Sequence, residues 1–175
     1  ITIPMSRLTG FMESKLDHKS NEFSVDKLSQ ALELTSNDET TVDEQKILKG
    51  IVSFGNIETR QIMRPRIDVF AISYKMTIDK IIPLILEKGF SRVPVYEESL
   101  DQIKGLLYIK DLLPHINKKD YDWNKIIKPA FYVTENKKID DLLMEFKQKK
   151  IHLAVVVDEY GGTSGIITLE DVIEE

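Results

Sequence analysis

Residues 91–113 can be laid over residues 151–173 without a gap, and the two stretches then share Val95 with Val155, Gly105 with Gly165 and Asp111 with Asp171, each pair 60 residues apart. Three shared residues are few, but the element order around them repeats as well. In the first half, Val69–Ile72 reads as a strand. Thr77 then caps a helix with the apolar stripe Ile78, Ile81, Ile82, Ile85 and Leu86, which Gly89 ends and Pro83 should kink. Strands Arg92–Tyr96 and Ile103–Ile109 follow, and a helix opens at Lys110. In the second half, Phe131–Val133 is a strand and Ile139, Leu142, Leu143 and Phe146 stripe a helix. The continuous apolar run Leu153–Val157 suits a strand buried on both faces. A loop over Asp158–Gly162 leads to the strand Thr163–Ile167 and a helix from Leu169. Each unit is too small to close its own core, so the two should pack together. The expectation is an α/β (α+β) fold: two β-α-β-β-α units packed as a pseudo-twofold pair, with helices before them.

Residues 1–61 form that leading part. Ser24 caps a short amphipathic helix with Val25, Leu28, Ala31 and Leu32 on one side. Thr41 and Glu44 make a capping box for a second helix, striped by Ile47, Leu48, Ile51, Val52 and Phe54 and stopped by Gly55. That stripe predicts docking on the domain that follows. The chain begins Ile-Thr-Ile-Pro without an initiator Met and stops on Glu174-Glu175 inside a helical run, so both ends read as cut from a longer polypeptide.

Composition narrows the chemistry. With 24 basic against 29 acidic side chains the net charge is −5, and only five arginines are present, which speaks against nucleic acid as a partner. Cysteine is absent, which removes disulfides, thiolate zinc sites and cysteine nucleophiles. No apolar run approaches the ~20 residues that span a bilayer. The three histidines, His18, His115 and His152, have no metal-ligand spacing.

The informative segment is Tyr160–Asp171. Its glycines invite a phosphate-loop reading, which fails because Ile166, not Lys, follows Gly165. What remains is a strand ending at Thr168 and a helix carrying Asp171 in its first turn. Thr168 sits at an N-cap beside backbone N–H groups that favour an anion. Asp171, three residues on, faces the same way and could accept both hydroxyls of a ribose. The same two residues would serve equally well to cap the helix and satisfy its dipole. Glu170, Asp171, Glu174 and Glu175 suit solvated first-turn acids better than a dedicated magnesium site. Trp123 is expected to pack the linker Asp120–Pro129 against the pair. No catalytic centre emerges.

Two units, each with a strand followed by Gly-hydrophobic-hydrophobic-(Ser/Thr)-x-x-Asp, resemble a pair of CBS domains, the modules named after cystathionine β-synthase, over residues 62–118 and 119–175. Met63-Arg64-Pro65-Arg66, Ser91-Arg92-Val93-Pro94-Val95-Tyr96, Asp158 through Gly165 and Leu169 through Glu175 are similar to the CorC/haemolysin-C family, bacterial membrane proteins related to the CNNM magnesium transporters. The Leu28–Leu34 segment and the helix after it resemble the gliding-motility-associated, GldE-type branch. The resemblance implies a regulatory module rather than an enzyme, on the cytoplasmic side of the inner membrane and linked to magnesium or other divalent-cation transport. A transmembrane domain of the same polypeptide would precede it, and it would form a homodimer through its CBS domains. Its ligand would be ATP or another adenine nucleotide, with Mg2+ in several members. Carried over by position, Thr168 and Asp171 would hold the ribose and nearby phosphate. Asp111 is kept in the first unit, but Tyr108 replaces the Ser/Thr there, so one working site is expected. Arg92 is the candidate phosphate ligand, with His152 its counterpart in the second unit, and Arg66 is a further cation. The rivals are a purely structural dimerisation module and a nucleotide hydrolase using Asp158, Glu170 or Asp171.

Overall fold

A computed structural model describes residues 42–118 and 121–175. The expected helix over 25–34 and the Thr41 cap lie outside the described residues. The chain divides into one unit ending at Ile57 and a second over Glu58–Glu175. In the first, helix α1 (Val42–Asn56) carries Asp43 and Glu44 in its first turn, where carboxylates suit the helix dipole. It runs one residue past Gly55, and Ile47 and Ile51 on its expected stripe are exposed.

The second unit holds both repeats. The first comprises β2 (Ile72–Ser73), α3 (Ile78–Lys88), β3 (Arg92–Tyr96), β4 (Ile103–Tyr108) and α4 (Ile109–Leu112). The second comprises β5 (Tyr132–Thr134), α5 (Ile139–Lys149), β6 (Leu153–Val157), β7 (Thr163–Thr168) and α6 (Leu169–Glu174). Each builds its sheet the same way. β2 runs parallel to β3 and β5 parallel to β6, while β3–β4 and β6–β7 are antiparallel. The helical crossover that a parallel pair demands is α3 in one and α5 in the other. Ile78, Ile81 and Ile85 are buried on α3, and Ile139, Leu142 and Phe146 on α5, while Leu86 at the margin of the expected stripe is exposed.

α3 continues through Pro83, and Gly89 in the left-handed region (φ 70°) closes it by donating its N–H to the Ile85 carbonyl. Thr77 precedes it without a side-chain cap; its carbonyl alone accepts from Lys80 and Ile81. The expected strand over Val69–Ile72 is a two-residue strand shifted toward the C-terminus. Residues Arg66–Asp68 form a 3-10 turn and only Ile72–Ser73 pair with β3. Trp123 is buried with Ile72, Ile81 and Leu107 and donates its indole N–H to the Met76 carbonyl at 2.8 Å, which fastens the linker to the first repeat. The sheets meet through Leu106, Leu153 and Ile166.

The chain leading into the first repeat is built into the second. In α2 (Thr59–Ile62) the buried Thr59 donates both its N–H and its hydroxyl to the Lys137 carbonyl at 2.8 Å, and Arg60 N–H reaches Glu135. β1 (Arg64–Pro65) then lies antiparallel on β7, Arg64 opposite Ile166 and Pro65 opposite Gly165. The linker does the converse, since Lys128 pairs with Leu106 on β4. These crossings explain the repeated glycines. A Cβ on Gly165 would stand 2.1 Å from the Arg64 carbonyl oxygen, and one on Gly105 would stand 2.2 Å from that of Lys128. Only a residue without a side chain lets either strap lie flat.

Candidate functional site

β7 hands over to α6 at Thr168, and the junction is a reciprocal capping box. Asp171 N–H donates to Thr168 Oγ1 at 3.2 Å; Asp171 Oδ2 accepts from Thr168 N–H at 2.8 Å and from Oγ1 at 2.6 Å. Leu169 N–H goes to the His152 carbonyl. Two of the three first-turn backbone donors expected to face an anion, those of Leu169 and Asp171, are therefore engaged, which leaves Glu170 N–H and the side chains. Both bonds to the Asp171 carboxylate fall on Oδ2, and among the described residues Oδ1 has no hydrogen-bond partner. One oxygen caps the helix; the other is available to a ligand hydroxyl.

Beside this junction is a cleft of about 340 Å3, in the range of small-molecule sites. β3 of the first repeat and the turn before it supply Phe90, Ser91, Arg92 and Pro94. The second repeat supplies His152, Leu153, Ile166, Thr168, Glu170 and Asp171, and the β1 strap supplies Arg64. Thr168, Asp171 and Arg92, expected from the sequence to act together, do line one cleft, and His152 joins them. Phe70 stacks on Phe90 with ring centroids 5.8 Å apart, and the Arg64 guanidinium lies 5.6 Å from the Phe90 ring centroid. Arg92 Nε is buried with no hydrogen-bond partner. A buried unpaired guanidinium nitrogen costs free energy unless an acceptor arrives, which fits an anionic ligand at this wall.

Two expected site residues stand elsewhere. Arg66 grips Asp101 with both terminal nitrogens and donates from Nη1 to the Thr163 carbonyl at 3.1 Å, so it does not line the cleft. That guanidinium and the Thr163 N–H hold the Asp101 carboxyl down to about 2. Of the two arginines in Met63–Arg66, it is Arg64 that joins Arg92 in the cleft. Its neighbour Pro65 is the signal that could have found it, because a residue before proline is pushed to extended backbone, ready to pair as an edge strand. Asp111 is also outside the cleft: its Oδ2 is 2.6 Å from Lys128 Nζ. Lys128 Nζ also lies 4.6 Å from the Tyr108 ring centroid, and Arg92 approaches that ring at 5.5 Å. Around Tyr108 and Asp111, the chain's own cations pair with the acid and approach the ring, while a second cleft of about 470 Å3 lies open beside Arg92, Tyr108 and Lys110. The aromatic pair Phe70–Phe90 was missed because each phenylalanine reads, in sequence, as core filling beside a strand or a helix end. Among the described residues no three histidine or carboxylate side chains cluster as a metal site, and no helix is long and apolar enough to cross a membrane.

A doubled α+β unit with a cleft between its halves defines a tandem two-repeat module. The CBS-domain profile matches residues 60–118 and 120–175. The magnesium and cobalt efflux protein CorC of Escherichia coli K12 is 36% identical over 140 residues, covering 79% of this chain and 48% of CorC. Hemolysin C of Brachyspira hyodysenteriae is 34% identical over 176 residues, covering 99% of this chain and 61% of that protein. A solved structure of the CBS domain of the bacterial CNNM/CorC family Mg2+ transporter, in complex with ATP, aligns with a TM-score of 0.70 at 41% identity. It covers 75% of this chain and 95% of that one. The chain belongs to the CBS-domain family, as a CBS pair homologous to those of the CorC/CNNM transporters. It spans about half the length of CorC.

Proposed function

We propose that this CBS pair, with units over 62–118 and 119–175 and a leading segment over 1–61, binds one adenine nucleotide in the cleft between β3 and the β7–α6 junction. Binding would regulate a transmembrane domain of the same polypeptide that moves magnesium or another divalent cation across the inner membrane, with the pair on the cytoplasmic side. The observation that carries the reading is the convergence of Arg92, Arg64, Thr168 and Asp171 on one cleft with an aromatic wall. Asp171 Oδ1 offers a charged acceptor to a ribose hydroxyl. Arg92, with its buried Nε, and Arg64 neutralise phosphate in a chain whose net charge is −5. Phe70, Phe90 and Ile166 give a base an apolar surface. Mg2+ would arrive on the polyphosphate, facing Glu170. The engaged Asp111 and Tyr108 support a single nucleotide per chain. The exposed Leu113 and Ile173, 60 residues apart, give the helices apolar positions for a homodimer contact. A GldE-type assignment has no support beyond the 28–34 segment, which lies outside the described residues.

The test is a melting curve with ATP, ADP and AMP, each with and without Mg2+. A ligand at 100 times its dissociation constant stabilises by about 2.7 kcal/mol, a shift of several degrees. No shift at millimolar nucleotide would leave the structural dimerisation module as the reading.

A further inference from the structure

β3 and β7 each have one end at the cleft and the other at a second junction. β3 starts at Arg92 in the cleft and leads through Tyr96 to Asp101. β7 starts at Thr163 and ends at Thr168 in the cleft, about 17 Å away at ordinary strand rise. The β1 strap has Arg64 in the cleft and passes into Arg66. At the far junction these same three segments are joined. Arg66 donates to both oxygens of Asp101 and to the Thr163 carbonyl, and Asp101 Oδ1 accepts the Thr163 N–H at 3.0 Å. The loop feeding Thr163 is braced by Asp158, whose Oδ1 accepts from Tyr160 N–H and Gly162 N–H at 2.8 Å. An isolated exposed ion pair contributes little. This one closes a ring of hydrogen bonds among three segments distant in sequence, the same three that wall the cleft.

We infer that Arg66, Asp101 and Thr163 form a latch that holds the two cleft walls and the Arg64 strap in register, so that these residues position the nucleotide site without touching its ligand. The inference rests on the cleft being the nucleotide site, and by linkage a nucleotide that draws the walls together tightens the latch in turn. The test compares the whole chain with Asp101→Asn, Arg66→Gln and the double variant by calorimetric titration with Mg-ATP. Asp101→Asn retains an acceptor for the Thr163 N–H and loses the bidentate pairing. Each single variant is expected to weaken ATP roughly three- to tenfold. The double is expected to be no weaker than the worse single, because one ring is broken in every case. Arg66→Lys, which keeps the charge but not the fork, should fall between parent and Arg66→Gln. Affinities within twofold of the parent, or losses that multiply in the double, overturn the latch. Hydrogen exchange without ligand separates this from the nucleotide reading. Faster exchange at the Ile166 and Thr168 amides in Asp101→Asn, beyond what the fall in its global melt accounts for, supports the latch even if the parent binds no ATP. Unchanged exchange there refutes it.

Discussion

Gly165→Ala puts the packing argument to a quantitative trial. The new methyl carbon would stand 2.1 Å from the Arg64 carbonyl oxygen, 3.1 Å from its carbon and 3.3 Å from Pro65 Cα. All three are backbone atoms, so no side chain can swing aside. The β1 strap must lift by more than an ångström or β7 must bend, and the Arg64–Ile166 and Pro65–Gly165 pairing is lost. Overpacking of this kind costs about 1–3 kcal/mol. At roughly 4 °C per kcal/mol for a domain of this size, the melt should fall by about 4–12 °C. Gly105→Ala is the control, because it meets the Lys128 carbonyl oxygen at 2.2 Å and Ile127 Cγ2 at 2.6 Å, with Arg64 left in place. Both variants should lose stability by scanning calorimetry, Gly105→Ala more because its φ of 157° adds backbone strain, but only Gly165→Ala displaces Arg64 from the cleft. The ATP-induced shift should therefore shrink in Gly165→Ala and persist in Gly105→Ala. A Gly165→Ala melt within about 2 °C of the parent would show that the strap is not held against β7, and equal loss of the ATP shift in both would deny Arg64 a part in the site.

Asp171→Asn keeps an acceptor for the Thr168 N–H, so its unliganded stability should drop by less than about 1 kcal/mol. Its ATP-induced shift should vanish with the charge, and a retained shift would remove Asp171 from the site. Asp171→Ala loses both bonds to Oδ2 and should cost about 1–2 kcal/mol even without ligand. Asp101 is depressed to about 2 by Arg66 and Thr163, so its contribution is complete above the ordinary carboxylate range near 4 and disappears as pH falls through about 2. In melts from pH 7 to 2, the gap between parent and Asp101→Asn should hold steady above about pH 4.5 and close toward pH 2. Trp123→Phe removes the donor from the part-buried Met76 carbonyl and should lower stability by about 0.5–1.5 kcal/mol in urea unfolding.

Much of the fold was legible because the signals are local. The apolar period of 139–146, the unbroken run 153–157 and the stop at Gly89 each depend on a few neighbouring residues. The strand expected at Val69–Ile72 failed for the opposite reason. Its β-branched and aromatic residues suit a strand, but the chain there turns off β1 through a 3-10 step, Val69 packs at the seam with Leu153 and Ile166 of the second repeat, and Phe70 packs on its own repeat's core and stacks on Phe90. Thr168 and Asp171 could be paired from their spacing alone. Their division of labour could not, since it depends on which carboxylate oxygen the cap consumes.

From the amino-acid order alone came two like units, their element sequence, the acid and alcohol at one strand-to-helix turn, and a charge balance that calls for local cations, or a bound magnesium, around any phosphate. Tertiary structure decided that Arg64 rather than Arg66 enters the cleft, that Lys128 takes Asp111, and that residues 58–65 join the second repeat although they precede the first. Periodicity and capping are settled within a turn or two of backbone. The choice between two arginines two residues apart is settled by pairing across about a hundred residues of chain, Arg64 with Ile166, and nothing in the short run Met63–Arg66 encodes that partner.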